Sequence, residues 1–161
     1  MSISRHSRGK RGQSLVELAI SLMVILLLLS GAVDFGMALF SYTTLRDAAQ
    51  EGALYGSMNP PANSASLSAI RERVRAAGGN SGPVDLSNFT DAQINVYLVP
   101  SGALACEGST VSGGSPVPNG VQVTLTYDYP IVMPLLGTVL GSQTIPLSAS
   151  VTDTILQPKC P

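Results

Sequence analysis

The feature that most limits what this chain can become is an apolar run that begins directly behind a cluster of cations. Arg5, Arg8, Lys10 and Arg11 precede it, no acid occurs before Glu17, and LAISLMVILLLLSGAV then extends from Leu18 to Val33 without a charge. Those sixteen residues make a helix of roughly 24 Å, a little short of a bilayer core of about 30 Å. Continuing through FGMALF to Phe40 covers the full thickness, and Asp34 must then be accommodated near the far end. A carboxylate at mid-bilayer would cost about 3 kcal/mol on an insertion scale, so this one needs the interface or a partner. No proline lies between Met1 and Asn59, so one helix over about residues 13–57 is expected, with its membrane span at about 18–40.

The flanks give the orientation. Four cations stand before the run, and only Arg46, Asp47 and Glu51 follow it closely. The positive-inside rule then puts the N-terminus in the cytoplasm and everything beyond the helix outside. The net charge of −1 conceals the same asymmetry, because residues after Gly12 hold five cations against ten acids. Such a domain offers no basic footprint for nucleic acid.

Cys106 and Cys160 both fall on the outer side, where an oxidising compartment permits a disulfide. A bridge would close a loop of about 54 residues and contribute roughly 4 kcal/mol by chain entropy; two free buried thiols are the alternative.

Beyond the anchor the pattern is α+β. Pro60-Pro61 ends the long helix, and a second helix fits Ser64–Ala77, capped by Asn63 or Ser64 and stopped by Gly78-Gly79. Leu67, Ile70 and Val74 share its apolar face, while Arg71, Glu72, Arg73 and Arg75 read as a solvated face or a docking patch. Alternating residues predict strands over Gln93–Val99, Val121–Tyr129 and Gln143–Ile155, and three antiparallel strands against one or two helices complete the domain at 58–161. The Ser101–Gly120 stretch is rich in Gly, Ser and Pro and reads as a loop carrying Cys106. The connection PIVMPLLGTVLG, Pro130–Gly141, is unusually apolar: it either tucks over the core or meets a membrane surface or a partner. Ala48, Gly52 and Gly56 recur every four residues beside Ala49 and Ala53, a flat face for close helix packing against a neighbouring subunit or against this chain's own second helix or sheet.

Nothing in the sequence builds a catalytic site. His6 is the only histidine and lies in the basic N-terminal stretch, which removes a Ser-His-Asp hydrolase and most zinc sites from the outer domain. No Walker loop, Cys-x-x-Cys pair or calcium-type acidic loop is present, and Asp-Phe-Gly at 34–36 lacks every companion motif of a kinase. No cofactor and no metal are expected.

Three fates for the N-terminus compete: an uncleaved anchor with an outer binding domain, a secreted protein cut after Ala32 behind Ser30-Gly31-Ala32, and removal of a short basic leader ending at Gly12. Glu17 favours the third, since an ordinary signal peptide has no use for an acid between its cations and its apolar core. The helical pattern also continues past Ala32 through Phe35, Leu39, Tyr42 and Leu45, so a cut there would truncate a helix midway.

The run RGQSLVELAISLMVILLLLSGAVDFGMALFSYTTLRDAAQEGALYG, about 45 residues, resembles the N-terminus of TadE-like proteins, pseudopilins of the tight-adherence (type IVc) pilus systems. RGQ-S-LVE, VDFG and AAQEGALYG carry the likeness, with a weaker one where VQVTLTYDYP leads into IVMPLLG. The resemblance implies a pilin-like α+β fold and a prepilin peptidase that cuts between Gly12 and Gln13, leaving residues 1–12 as leader and Glu17 as the fifth mature residue. It further implies that Glu17 neutralises the N-terminal amine of a neighbouring subunit. The implied partners are the lipid bilayer, the peptidase, other pilins or pseudopilins and the pilus assembly platform, at the cytoplasmic membrane. Gln13 stands where major pilins carry an aromatic and Leu18 where the major tight-adherence pilin has tyrosine, and the domain is large, so the resemblance implies a minor subunit.

Overall fold

The computed structural model describes residues 9–78, 83–100, 119–133, 137 and 141–156. Cys106 and Cys160 lie outside the described residues, as do His6 and most of the apolar connection after Met133.

Helix α1 runs from Gly9 to Met58, fifty residues and about 75 Å. With no proline to interrupt it, it stops where Pro60-Pro61 cannot continue it, and Pro60 is itself fully buried. Helix α2, Ser64–Ala77, starts at a reciprocal cap: Asn63 Oδ1 accepts from the Ser66 amide at 2.8 Å, and Ser66 Oγ accepts from the Asn63 amide at 3.1 Å. Ile70 and Val74 are its buried residues. At its end Gly78 is required by a close approach, since a Cβ there would sit 2.5 Å from Leu86 Cδ1.

Strands β1 (Ile94–Val99), β2 (Gly120–Pro130) and β3 (Thr144–Thr154) form an antiparallel meander in the order β1-β2-β3. Leu125 pairs with Ile94 and Ala149, and Val123 with Val96 and Val151, so one face of the sheet is continuously apolar. That face covers α1 and α2. Leu45, Ala48, Ala49 and Ala53 of α1, Ile70 and Val74 of α2, and Val121, Val123 and Leu125 of β2 make the centre of the core. The α+β class, the long apolar helix, the short second helix and the three antiparallel strands all match the sequence expectation.

The sequence reading missed the segment between α2 and β1. A 3-10 turn at Leu86–Asn88 is capped by Asp85, whose Oδ1 accepts from the Ser87 amide at 3.0 Å. Val84, Leu86 and Phe89 join the core there, and the Phe89 ring stacks on Tyr127 at a centroid distance of 5.8 Å.

Candidate functional site

Helix α1 changes character at Asp34. From Gly12 to Ser30 every residue is exposed, including Leu15, Val16, Leu18 and the whole Ile20–Leu29 run. From Gly31 onward one stripe turns inward: Gly31, Asp34, Ala38, Ser41, Leu45, Ala48, Gly52 and Gly56, at steps of three or four residues. The first part is long and apolar enough to cross a membrane; the second is the spine of the domain.

The stripe consists mostly of small residues because the partners come close. A Cβ at Gly52 would overlap the Val74 side chain, and one at Gly56 would lie 2.9 Å from Val121 Cγ1 and 3.4 Å from Ile70 Cδ1. Gly52 and Gly56 are thus covered within the chain by α2 and β2, and Ala48 is buried in the same core. Ser41 and Ser57, also buried, satisfy their hydroxyls by donating to the helix carbonyls of Met37 at 2.9 Å and Leu54 at 2.8 Å.

Asp34 is the acid that the sequence left without a partner, and the fold supplies one. β2 runs back along α1 from Val121 beside Gly56 to Tyr129 beside Asp34. The chain beyond it then brings the Met133 amide to 2.8 Å from Asp34 Oδ2. Asp34 is 8% exposed, so this bond replaces water for a carboxylate that would otherwise be desolvated without compensation. Beside it Gly31, Asp34, Phe35, Ala38, Tyr129, Ile131 and Ile145 line an apolar cleft of about 350 Å³. Burial pushes the Tyr129 phenol above its usual range, and the Asp34 carboxylate adds to that, so the hydroxyl stays neutral.

The three arginines of α2 are neither a bare solvated face nor a patch left for a partner. Arg71 and Arg75 both reach Asp91, at 2.9 and 2.5 Å, and Arg73 pairs with Glu51 of α1. Arg71 Nε and Arg75 Nε also donate to the carbonyls of Ile94 (3.3 Å) and Phe89 (2.9 Å), pinning the segment before β1 onto α2. Arg75's hydrogen bond holds the Asp91 carboxyl below the usual carboxylate range, and Arg71's charge adds to it. A second cleft of about 380 Å³, lined by Asp47, Glu51, Arg73, Ala76 and Ala77, has the Glu51–Arg73 pair in its wall. Among the described residues no three of His, Cys, Asp and Glu converge as metal ligands would.

Gly12, Gln13 and Glu17 lie on the exposed first turns of α1 and contact nothing in the domain; a Cβ at Gly12 would meet no atom within 4 Å. The structure therefore does not bring these residues together with the Ala48–Gly56 stripe. They occupy opposite ends of one rod.

That rod is what the family comparison recognises. Residues 12–54 match the family model described as TadE-like protein. The TadE-like segment thus starts at Gly12, passes through Glu17 and Asp34, and ends inside the small-residue stripe. The match covers 43 of the 161 residues, all of them in helix α1. The exposed apolar half of α1 that this segment contains has the length and composition of a helix able to cross a membrane. Comparison with curated proteins and with solved structures finds no match.

Proposed function

We propose that the chain is a minor pseudopilin-like subunit of tight-adherence pilus biogenesis or its associated secretion, working by assembly and not by turnover. The observation that carries this reading is the division of α1: an all-round exposed apolar half with one acid, Glu17, at its start, joined without a break to a half buried in a folded domain. The large apolar side chains of the first half, from Leu15 to Leu29, are exposed, and lipid or other helices would remove them from water. We place the N-terminus in the cytoplasm, residues 58–161 outside the cytoplasmic membrane, and the leader cut between Gly12 and Gln13 by a prepilin peptidase.

Depth follows from helix geometry. About twenty residues span a 30 Å core, so a span entered just after Arg11 leaves it near Val33. The outer boundary then falls at Asp34, short of Phe40, which agrees with the carboxylate being held by the domain and not by lipid. Glu17 stands about five residues into the span, where a carboxylate is costly alone and is attracted to the new N-terminal amine of a neighbouring subunit. The helix would pass from bilayer to a bundle with other pilins on the assembly platform, and the domain would ride at the outer face.

Mass spectrometry of the protein from membranes of cells with the pilus machinery tests this directly. An N-terminus at Gln13 supports the reading. An intact residue 1 or 2 would make the chain a plain anchor, and a start near Val33 a secreted protein. Gly12→Trp should block the cut, and continued removal of the leader in that variant counts against it.

A further inference from the structure

We propose that β3 is an acceptor edge, to which an extended strand of another protein, alternating apolar and polar residues around one acid, adds over Ser148–Thr152. The site stands on the fold alone; the choice of another protein over a second copy rests on the proposed membrane span of α1.

The ladder between β2 and β3 fixes which backbone groups look outward. The Ile131 amide donates to the Gln143 carbonyl at one end, at 2.9 Å, and the Ile155 amide to the Asn119 carbonyl at the other, at 2.8 Å. Bonding alternates along an antiparallel pair, so odd-numbered residues of β3 face β2 and even-numbered ones turn their N–H and C=O to the free side. The chain closes both ends of that row itself. Ser142 Oγ accepts from the Thr144 amide and donates to the Thr144 carbonyl, Pro146 has no N–H, and Asp153 Oδ1 accepts from the Thr154 amide at 2.8 Å. Between these stops Ser148, Ser150 and Thr152 are exposed, and among the described residues their outward backbone groups meet no partner. No charge occurs from Thr144 to Thr152 to repel an incoming strand. The opposite edge differs. Ile94 of β1 also faces outward, since Gln93 before it bonds to β2, but its carbonyl accepts from Arg71 Nε of α2 at 3.3 Å.

Helix α1 supplies a second wall. Phe35 shares a cleft with Ile145, and the Ser57 carbonyl accepts from the Leu156 amide at 3.0 Å. The helix rises about 33 Å from Phe35 to Ser57 and the strand about 36 Å from Ile145 to Leu156, so the two run side by side in one direction. Leu39, Tyr42 and Arg46 follow Phe35 on the same flank at steps of three or four residues, and all are exposed. The same rises bring Tyr42 to about the level of Ser148, and Arg46 to about that of Ser150. An added strand would lay every second side chain on this flank and the others beside the hydroxyls of the outer sheet face, where Ser150 bonds Thr124. Apolar side chains suit Leu39 and Tyr42. A carboxylate suits Arg46, which makes no ion pair among the described residues. A second copy fits poorly: its β1 edge is covered by Arg71, and antiparallel pairing of β3 with β3 would point the two α1 rods in opposite directions, which one membrane does not allow.

Hydrogen exchange resolved to single amides, on the full-length protein in detergent, tests the edge with the end-blocked heptapeptide TVTDTVT as probe. In the free protein the amides of Leu147, Ala149 and Val151 should be protected, and those of Ser148, Ser150 and Thr152 should exchange fast. The probe should slow the second set severalfold, a fully N-methylated copy should not, and TVTKTVT should act more weakly. Ser150→Pro removes only an outward N–H, and Tyr42→Ser changes only the flank; each should lose most of the slowing while keeping the protection of Ala149. Exchange left unchanged by the probe at millimolar concentration overturns the acceptor edge, and equal slowing by TVTKTVT overturns the assigned acid. Protection of Ser148, Ser150 and Thr152 without probe also overturns it, because in a monomer the chain then covers its own edge and in a dimer a second copy does. A mature N-terminus near Val33 with the edge still taking the probe would remove the span and leave the site standing.

Discussion

Replacing Gly52 by alanine opposes two effects whose sizes can be set against each other. In an exposed helix the change would stabilise by about 1 kcal/mol, because alanine is the better helix former. At this position the new methyl would overlap Val74 Cγ2 and lie 3.5 Å from Val123 Cγ1. Val74 is fully buried and β-branched, so it has no rotamer to retreat into, and overpacking of this kind costs about 1–3 kcal/mol. With overlap this severe the upper figure applies, leaving a net loss of about 2 kcal/mol, or roughly 8–16 °C in melting temperature for a domain near 100 residues. Gly56→Ala, whose methyl would stand 2.9 Å from Val121 Cγ1, should lose less. Gly36→Ala meets open space and should lose nothing. Thermal melts of the full chain in one detergent, followed by near-ultraviolet circular dichroism, give the order. In Gly52→Ala/Val74→Ala the smaller side chain makes room for the methyl, so the double variant should be more stable than the sum of the singles predicts, by about 1–2 kcal/mol. A Gly52→Ala protein melting at or above wild type would refute the packing argument.

Asp34→Ala should cost about 1–3 kcal/mol by stranding the Met133 amide, whereas Asp34→Asn keeps an acceptor and should lose less; equal melts for the two would count against the bond. Acidification should loosen the α2 clamp. The folded-state pKa of Asp91 is depressed, so its contribution is complete above the ordinary carboxylate value and disappears as pH falls through the lowered one. The melting difference between wild type and Asp91→Asn should be flat from pH 6 to 8 and vanish in strong acid; a difference that persists there sinks the assignment. Glu17→Ala should leave membrane insertion intact and impair assembly, and wild-type piliation by that variant would remove the role proposed for Glu17.

Regular elements were legible because their periodicities differ. The 3.6-residue pattern of Ile70 and Val74 with Asn63 as cap, and the two-residue alternation of Val121, Val123 and Leu125, are local signals that the fold left unchanged. The small-residue stripe was equally visible, but a sequence does not say what approaches a flat helix face; only the fold places Val74 and Val121 on it. Contacts across long separations were out of reach. Asp34 and Met133 are 99 positions apart, and nothing in either neighbourhood names the other. The clamp on Asp91 was hidden similarly, since three arginines on a short helix look like solvent-facing charge until the segment that follows the helix folds back. Asp85 with Ser87 and Asn88 did hold a readable signal, an acid followed by small polar residues as in an Asx turn, and that could have located the 3-10 turn.

Because α1 passes from its exposed apolar half into the core with no intervening loop, the molecule has no joint between the two halves. Turning the rod by one residue's worth of helix swings the domain by about 100°, and drawing it outward by one residue lifts the domain by about 1.5 Å. Whatever grips the lower half therefore sets the heading and height of the upper half, and a neighbour can approach only along the sides that the sheet leaves open.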